Sequence, residues 1–164
     1  MKTSLLAAIV VSSSVLASGG LARAGGTPNT IGVGAEFQLS GIGGLSANYD
    51  AGKFHVGGFL GYFDPQGPNN TTVDIGGRFF WHVASTASSD FSIGGGLGIQ
   101  STHDAATGDS ITNLYIEPGF QIRAFITPNV ALSFTGGIEI GAADASEVNI
   151  TGNIVGEGGV HYYF

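Results

Sequence analysis

The stretch EPGFQIRAFITPNVALSFTGGIEIG, residues 117–141, alternates large apolar residues with small or polar ones on both sides of a turn. Phe120 and Ile122 precede the turn at residues 127–129, and Phe134 follows it. Successive side chains of a β-strand point to opposite faces, so alternation with a period of two indicates strands with two unlike faces. The stretch therefore predicts an antiparallel hairpin that is apolar on one face and polar on the other.

The same alternation recurs along the chain between turn-forming clusters, and no helical periodicity lasts beyond a turn or two after residue 24. It predicts eight strands, at Ile31–Ser40, Leu45–Asp50, Phe54–Phe63, Thr72–Ala84, Phe91–Thr102, Thr112–Ile126, Val130–Ala142 and Asn153–Phe164. Most of these segments are close to the ~9–11 residues that a tilted membrane-spanning strand requires. The predicted fold is an all-β, eight-stranded, antiparallel, up-and-down transmembrane β-barrel.

The polar face of these strands distinguishes a membrane barrel from a soluble one. A soluble barrel of the lipocalin kind covers its surface with charged residues, at ~25% of the chain overall. Only 10% of this chain is charged, and Lys53 is the only lysine after residue 24. The chain has 29 glycines, and many of them lie on the polar face. The pattern favours an outer-membrane barrel, with bulky apolar residues outward and small or polar residues inward.

The first 24 residues have the pattern of a cleaved secretory signal. Lys2 supplies the positive charge, Leu5–Leu16 the apolar core, and Ala22-Arg23-Ala24 the small-residue cleavage site. The apolar core is shorter than the ~20 residues of a transmembrane helix. Residues 25–164 are then the barrel domain. Cleavage leaves three basic residues against 12 acidic ones, a formal charge of −9.

This acidic balance excludes nucleic acid as an expected partner, because binding to phosphates requires a basic surface. The chain also contains no cysteine, so disulfides cannot stabilise it. An exported barrel of this kind must be held together by hydrogen bonds and burial.

The connections and chain ends fit a membrane barrel. Three of the four predicted outer loops are longer than the two tightest inner turns, as in outer-membrane barrels. An even number of strands returns the chain to the periplasmic side, where the last strand pairs with the first. That closure is required because an open sheet edge in hydrocarbon leaves backbone groups unsatisfied. Aromatic residues near the inner strand ends are predicted to lie at the periplasmic interface: Phe79, Trp81, Phe91, Tyr162 and Phe164.

Together, the signal, the eight amphipathic strands, the lack of cysteine and the ending HYYF resemble the small eight-stranded outer-membrane barrels of Gram-negative bacteria, the OmpA/OmpX-like superfamily. The resemblance covers residues 25–164. It implies a location in the outer membrane, contact with its lipids and lipopolysaccharide, and no cofactor. It also implies that Tyr162 and Phe164 form a C-terminal assembly signal read by the barrel-assembly machinery. No peptidoglycan-binding domain is expected after Phe164.

The predicted lumen of such a barrel is just wide enough for side chains, so a large pore is not expected. Inward positions carry a polar network of Glu36, Asp74, Arg78, Glu117, Arg123, Glu139 and Glu157. Buried charges must be paired or neutralised. We expect Arg78 to bridge two of the glutamates and at least one other acid to be protonated or water-bound. The expected role is structural or surface interaction, with a narrow gated cation or water path as the alternative.

Two other functions are open from the sequence. His55, His82 and His161 face inward, which admits a metal site, although polar core histidines are the default and no metal is predicted. Ser101 and His103 share a face at the outer end of a strand. Some lipid A deacylases are eight-stranded barrels with such a pair, in the reverse order. The ~6.5–7 Å between such positions along a strand is too long for a direct hydrogen bond, so no catalysis is predicted.

Overall fold

A computed structural model describes residues 27–38, 41–65, 70–86, 88–143 and 153–164. The predicted signal at residues 1–24 lies outside this range. The described chain forms eight strands: β1 Thr30–Gln38, β2 Gly43–Asp50, β3 Phe54–Phe63, β4 Thr71–Ser85, β5 Ser89–His103, β6 Ser110–Thr127, β7 Val130–Ala143 and β8 Asn153–Tyr163. The described residues include no helix long and apolar enough to cross a membrane.

The strands form one closed barrel in sequence order, and every neighbouring pair is antiparallel. The closing seam joins β1 to β8, with Val33 opposite Tyr162 and Ala35 opposite Val160. At the inner end of the seam, the Phe164 and Ile31 backbones exchange two hydrogen bonds of 3.0 and 3.2 Å. The predicted eight-stranded antiparallel barrel is confirmed.

The outer surface of the barrel is an apolar belt. Large side chains at alternate positions are exposed on all eight strands, among them Leu45, Ile93 and Leu97 at 69%, 54% and 61%. On β5 the outward apolar positions run from Phe91 to Ile99, about 26 Å along the strand. A tilt of ~40° reduces that length to about 20 Å of height, close to the ~25 Å of a hydrocarbon-facing band.

Inward glycines accommodate aromatic rings on neighbouring strands. A Cβ added to Gly98 would lie 2.5 Å from the Tyr115 hydroxyl, and one added to Gly76 would lie 2.5 Å from the Phe59 ring. Tyr115 is 5% exposed and Phe59 is 9% exposed. The absence of a side chain at these glycines therefore lets large rings lie flat against the inner wall. These two glycines make room for aromatic rings inside the barrel.

Several strands extend one or two residues beyond their predicted ends, and β2, β5 and β6 each begin two residues earlier than predicted. β5 begins at Ser89, so the predicted inner turn from Ser85 to Asp90 is shorter than expected. Asp90 belongs to the strand, faces inward and is 2% exposed. β2 begins at Gly43, two residues before the predicted start at Leu45. The starts of β2 and β5 were predicted at the first large apolar residue of each strand, whereas backbone pairing begins in the small and polar residues before it.

Candidate functional site

An arginine lies at the centre of the outer half of the lumen. The Arg78 Nη1 atom lies 2.6 Å from a Glu36 carboxylate oxygen, and Nη2 lies 2.7 Å from Glu157. The three side chains are 7%, 5% and 5% exposed. The guanidinium carbon also lies 4.3 Å from the centre of the Phe59 ring. Charge, hydrogen bonding and ring contact therefore hold the guanidinium in one place.

These ion pairs span the seam of the barrel. Glu36 is on β1 and Glu157 on β8, and Gln38, two residues from Glu36, is the register partner of Glu157. Like charges on neighbouring strands repel each other. Arg78 on β4 reaches both carboxylates from the facing wall and offsets that repulsion. One cation thus connects the first, fourth and last strands.

Neutral donors satisfy a third acid in this outer layer. Asp74 accepts a 2.7 Å hydrogen bond from the Tyr115 hydroxyl and a 3.0 Å bond from the Gln38 amide nitrogen. Asp74 is 1% exposed. His161 continues the layer inward, with its Nε2 atom 2.5 Å from the Ser46 hydroxyl and 3.3 Å from a Glu36 oxygen.

A second arginine forms a separate layer near the periplasmic end. Arg123 Nη2 lies 2.7 Å from Asp50 and 2.8 Å from Asp90, and its Nε donates to both Asp90 oxygens at 3.1 Å. Nη1 donates to the Tyr163 hydroxyl at 3.1 Å. All four residues are at most 2% exposed. Arg123 therefore braces β6 against β2, β5 and β8.

Two histidines join this inner layer. His82 Nδ1 lies 3.0 Å from the Gly52 carbonyl oxygen, and its Nε2 lies 2.8 Å from His55 and 3.1 Å from Arg123. The carbonyl only accepts, so Nδ1 carries the proton, and Nε2 offers its single lone pair to the two neighbouring donors. In the described part of the chain, no group of three or more histidine, aspartate or glutamate side chains is arranged to hold a metal.

The remaining two members of the predicted network lie together on β6 and β7. The register pairs Ile116 with Ile140 and Gly119 with Gly137, which places Glu117 across from Glu139. Neither glutamate forms an ion pair with a described residue. The structure thus divides the predicted network into an Arg78 layer, an Arg123 layer and a pair of glutamates.

Several members of these layers were not predicted from the sequence. Asp50 and Asp90, the two partners of Arg123, were not among the predicted network residues. Tyr115 and Tyr163 were also not named as members of the network. Alternation along the strands identifies them as inward residues. Tyr115 lies two residues before Glu117 on β6, and Tyr163 lies two residues after His161 on β8, so each points to the same face as that polar neighbour.

The predicted interface aromatics all point outward. Phe79, Trp81 and Phe91 are 46%, 49% and 38% exposed, and Tyr162 and Phe164 are 54% and 64% exposed. Phe54 adds to the group, because its ring centre lies 5.4 Å from that of Phe79 and 6.2 Å from that of Trp81. These rings occupy one end of the outer surface, where the strands meet the inner turns.

The opposite end of the outer surface carries the serine and histidine residues considered for catalysis. His103 Nδ1 lies 3.2 Å from the Ser110 hydroxyl, its register partner on β6. Ser101 accepts a 3.3 Å hydrogen bond from Thr112. The histidine therefore contacts a serine on the neighbouring strand and not the serine two residues before it on its own strand.

No protein-family model and no curated protein sequence matches this chain. Solved structures do match. The N-terminal β-barrel domain of Pseudomonas aeruginosa OprF is similar with a TM-score of 0.58 and 12% identity, over 84% of this chain and 98% of that one. Neisserial surface protein A (NspA) is similar with a TM-score of 0.51 and 17% identity, over 82% of this chain and 96% of that one.

At these sequence identities the similarity concerns the fold alone. It is consistent with the closed eight-stranded sheet and the apolar outer belt of this chain. The small eight-stranded barrels that the chain resembles are outer-membrane proteins. The chain has the fold of the small eight-stranded outer-membrane β-barrels.

Proposed function

We propose that this protein is an integral barrel of the bacterial outer membrane with a structural or surface-interaction role. Its lumen is closed by polar side chains, and its outer loops provide the contact surface. It catalyses no reaction and forms no wide pore. The observation that carries the proposal is the pair of buried arginine layers, because each connects facing walls across the interior.

A small cavity beside the Arg78 layer supports a closed lumen. A cavity of about 10 Å³, counted as the space open to the centre of a water molecule, lies beside Glu36, Ile42, Phe59 and Glu157. A cavity needs ~10–15 Å³, counted in the same way, to hold one water molecule. This cavity is therefore too small for a file of water molecules.

The outer belt supports lipid as the surrounding partner. Apolar side chains face outward between the inner aromatic group and the polar outer ends of β5 and β6, where Ser101, His103, Ser110 and Thr112 lie. The belt would contact the acyl chains of outer-membrane lipids, and the polar end would contact the headgroups of lipopolysaccharide. Hydroxyl and imidazole groups suit that interfacial position because they exchange hydrogen bonds with headgroups and water.

The β5–β6 loop is the best-defined part of the proposed contact surface. The Asp104 backbone pairs with Asp109, the Gly108 amide donates to the Asp104 carbonyl, and the Ala106 amide donates to the Asp104 carboxylate at 2.8 Å. That amide holds the pKa of Asp104 below its ordinary value. The loop is therefore an ordered, acidic tip. Asp64 adds negative charge on the neighbouring loop, while Asp144 and Glu147 lie outside the described residues.

Export and assembly complete the proposal. Residues 1–24 would direct secretion and be removed. Tyr162 and Phe164 would be read by the barrel-assembly machinery, since both side chains point outward from the strand that closes the barrel. No cofactor takes part in this role.

Heat-modifiable gel migration combined with protease treatment of intact cells tests the proposal. A closed membrane barrel migrates differently before and after boiling, and only its outer loops are cleaved. A periplasmic protein that is released without detergent would refute it. Lipid A mass spectra from cells with and without the protein test the enzymatic alternative, and we expect identical spectra.

A further inference from the structure

The surface charges of the barrel are separated between its two ends. Among the described residues, Arg78 and Arg123 lie in the lumen, so Lys53 is the only exposed lysine or arginine. It belongs to the turn of residues 51–53, which joins β2 to β3 at the inner end. The described acids outside the lumen are on the outer loops: Asp64, Asp104 and Asp109. The inner end of the barrel therefore presents one surface cation.

The Lys53 side chain is not neutralised by the described part of the protein. The acids beside the inner turns, Asp50 and Asp90, are 0% and 2% exposed, and both bind Arg123. Lys53 forms no ion pair with a described residue. Its ammonium group is therefore available to an anion outside the barrel.

Backbone contacts hold the turn that carries this lysine. The His82 amide on β4 donates to the Lys53 carbonyl oxygen at 2.9 Å, and the His82 Nδ1 atom lies 3.0 Å from the Gly52 carbonyl oxygen. Gly52 has a φ of 86°, which favours glycine, and its amide donates to the Asp50 carboxylate at 2.7 Å. The lysine is thus presented from a fixed backbone, and its flexible four-carbon stem sets the reach of the ammonium group.

Three outward aromatic rings begin directly beside Lys53. Phe54 follows it in the chain and is the register partner of Trp81. The Phe54 ring stacks on both neighbours, with centres 5.4 Å from Phe79 and 6.2 Å from Trp81. Aromatic rings of this kind lie at the level of the lipid headgroups, and lysine stems extend toward the same level. The turn therefore places a cation next to an apolar platform, as a phospholipid places its phosphate next to its acyl chains.

We propose that Lys53 and the rings of Phe54, Phe79 and Trp81 bind one phospholipid with a net negative headgroup in the periplasmic leaflet. This inference rests on the proposed function as an outer-membrane barrel. The ammonium group would pair with the lipid phosphate, and the rings would contact the glycerol backbone and the upper acyl chains. A zwitterionic lipid should bind more weakly, because its own cation offsets the phosphate charge. The preference expected from one lysine at a membrane surface is about 5-fold.

Trp81 reports on this site, because it is the only tryptophan of the chain. The barrel is reconstituted into phosphatidylcholine vesicles that contain a minor fraction of either brominated phosphatidylglycerol or brominated phosphatidylcholine. Bromine atoms on the acyl chains quench tryptophan fluorescence on contact. Brominated phosphatidylglycerol should quench Trp81 at a mole fraction about 5-fold lower than brominated phosphatidylcholine does. High salt should reduce this difference, since it screens exposed charges.

Variants of the lysine separate its charge from the rest of the platform. Lys53→Gln should make the two brominated lipids quench equally, and Lys53→Arg should keep the preference. Asp109→Asn, which removes a charge from the opposite end of the barrel, is the matched control and should quench as the wild type does. Lys53 is exposed, so both of its variants should fold, and heat-modifiable migration verifies this.

The same measurement distinguishes failure of this site from failure of the proposed function. Equal quenching of the wild type by the two lipids, or an unchanged preference in Lys53→Gln, would overturn the lipid site and leave the membrane barrel intact. Absence of quenching by either lipid would contradict the membrane barrel itself, and the lipid site with it.

Discussion

Glu36 and Glu157 lie on the first and last strands of the barrel, and one guanidinium, that of Arg78, binds both within 2.7 Å. The closing seam is therefore held by an ion-pair triad as well as by backbone hydrogen bonds. Closure of this barrel matters energetically, because an open edge in hydrocarbon leaves N–H and C=O groups unsatisfied at several kcal/mol each. The triad links that seam to the opposite wall.

Arg78→Ala should destabilise the folded barrel by about 3–5 kcal/mol, because it leaves two buried carboxylates without a cation. Equilibrium unfolding in urea, followed by gel migration, measures the change. The triple variant Arg78→Met, Glu36→Gln, Glu157→Gln should recover most of the loss, since it removes the charges together. If Arg78→Ala unfolds at the same urea concentration as the wild type, the triad contributes nothing to stability.

The inner layer should behave as one unit. Arg123→Gln and the double variant Asp50→Asn, Asp90→Asn should each destabilise the barrel, and their effects should not add, because all three side chains belong to one buried network. A double-mutant cycle should give a coupling free energy of about 1–3 kcal/mol. Strictly additive free energies of unfolding would show that the network is not coupled.

Glycine at position 98 should resist substitution. Gly98→Ala places a methyl group 2.5 Å from the Tyr115 hydroxyl, and the overpacking should cost about 1–3 kcal/mol. Gly158→Ala is the matched control, because nothing lies within 4 Å of the added atom. Urea midpoints of the two variants make the comparison. Equal midpoints would mean that the interior is looser than these contacts indicate.

Deletion of Phe164 should impair assembly more than it affects the stability of the assembled barrel. Phe164 contributes two backbone hydrogen bonds to Ile31 at the seam and an exposed ring to the inner interface. The yield of heat-modifiable barrel in cell membranes, set against the urea midpoint of the purified protein, separates the two effects. Phe164→Ala, which keeps the backbone bonds, tests the ring alone. Wild-type yields from both variants would remove the assembly signal from the account.

Much of this fold can be predicted from the sequence, because every strand of a barrel alternates outward and inward residues. Alternation between lipid-facing and lumen-facing residues gives the number of strands, and β3 has the predicted ends, Phe54 and Phe63. Strand ends rich in small residues were less predictable. Asp90 was assigned to a turn because Phe91 was the first large apolar residue, and the backbone pairing that extends to Ser89 has no hydrophobic signature.

The lumen was less predictable than the wall. Alternation identifies inward residues, but contacts across the interior depend on strand tilt and stagger, which set the heights of opposite walls. The Arg78 layer unites residues 79 positions apart, and the Arg123 layer unites residues 73 positions apart. Large aromatic residues also occur inside the barrel, where no contact was predicted for them. Phe59, Phe80, Tyr115 and Tyr163 are buried inside the barrel, where large rings pack over glycines of the neighbouring strands.

The central claim is that two arginine layers close the lumen, and single-channel recording in planar bilayers tests it most directly. The folded wild-type barrel should insert and give no resolved conductance steps, just as the boiled protein gives none. Insertion should be verified in the same membranes by heat-modifiable migration. Reproducible conductance steps from the folded wild type, absent after boiling, would contradict a closed lumen. A preference for cations in those steps would identify the acidic interior as the conducting path.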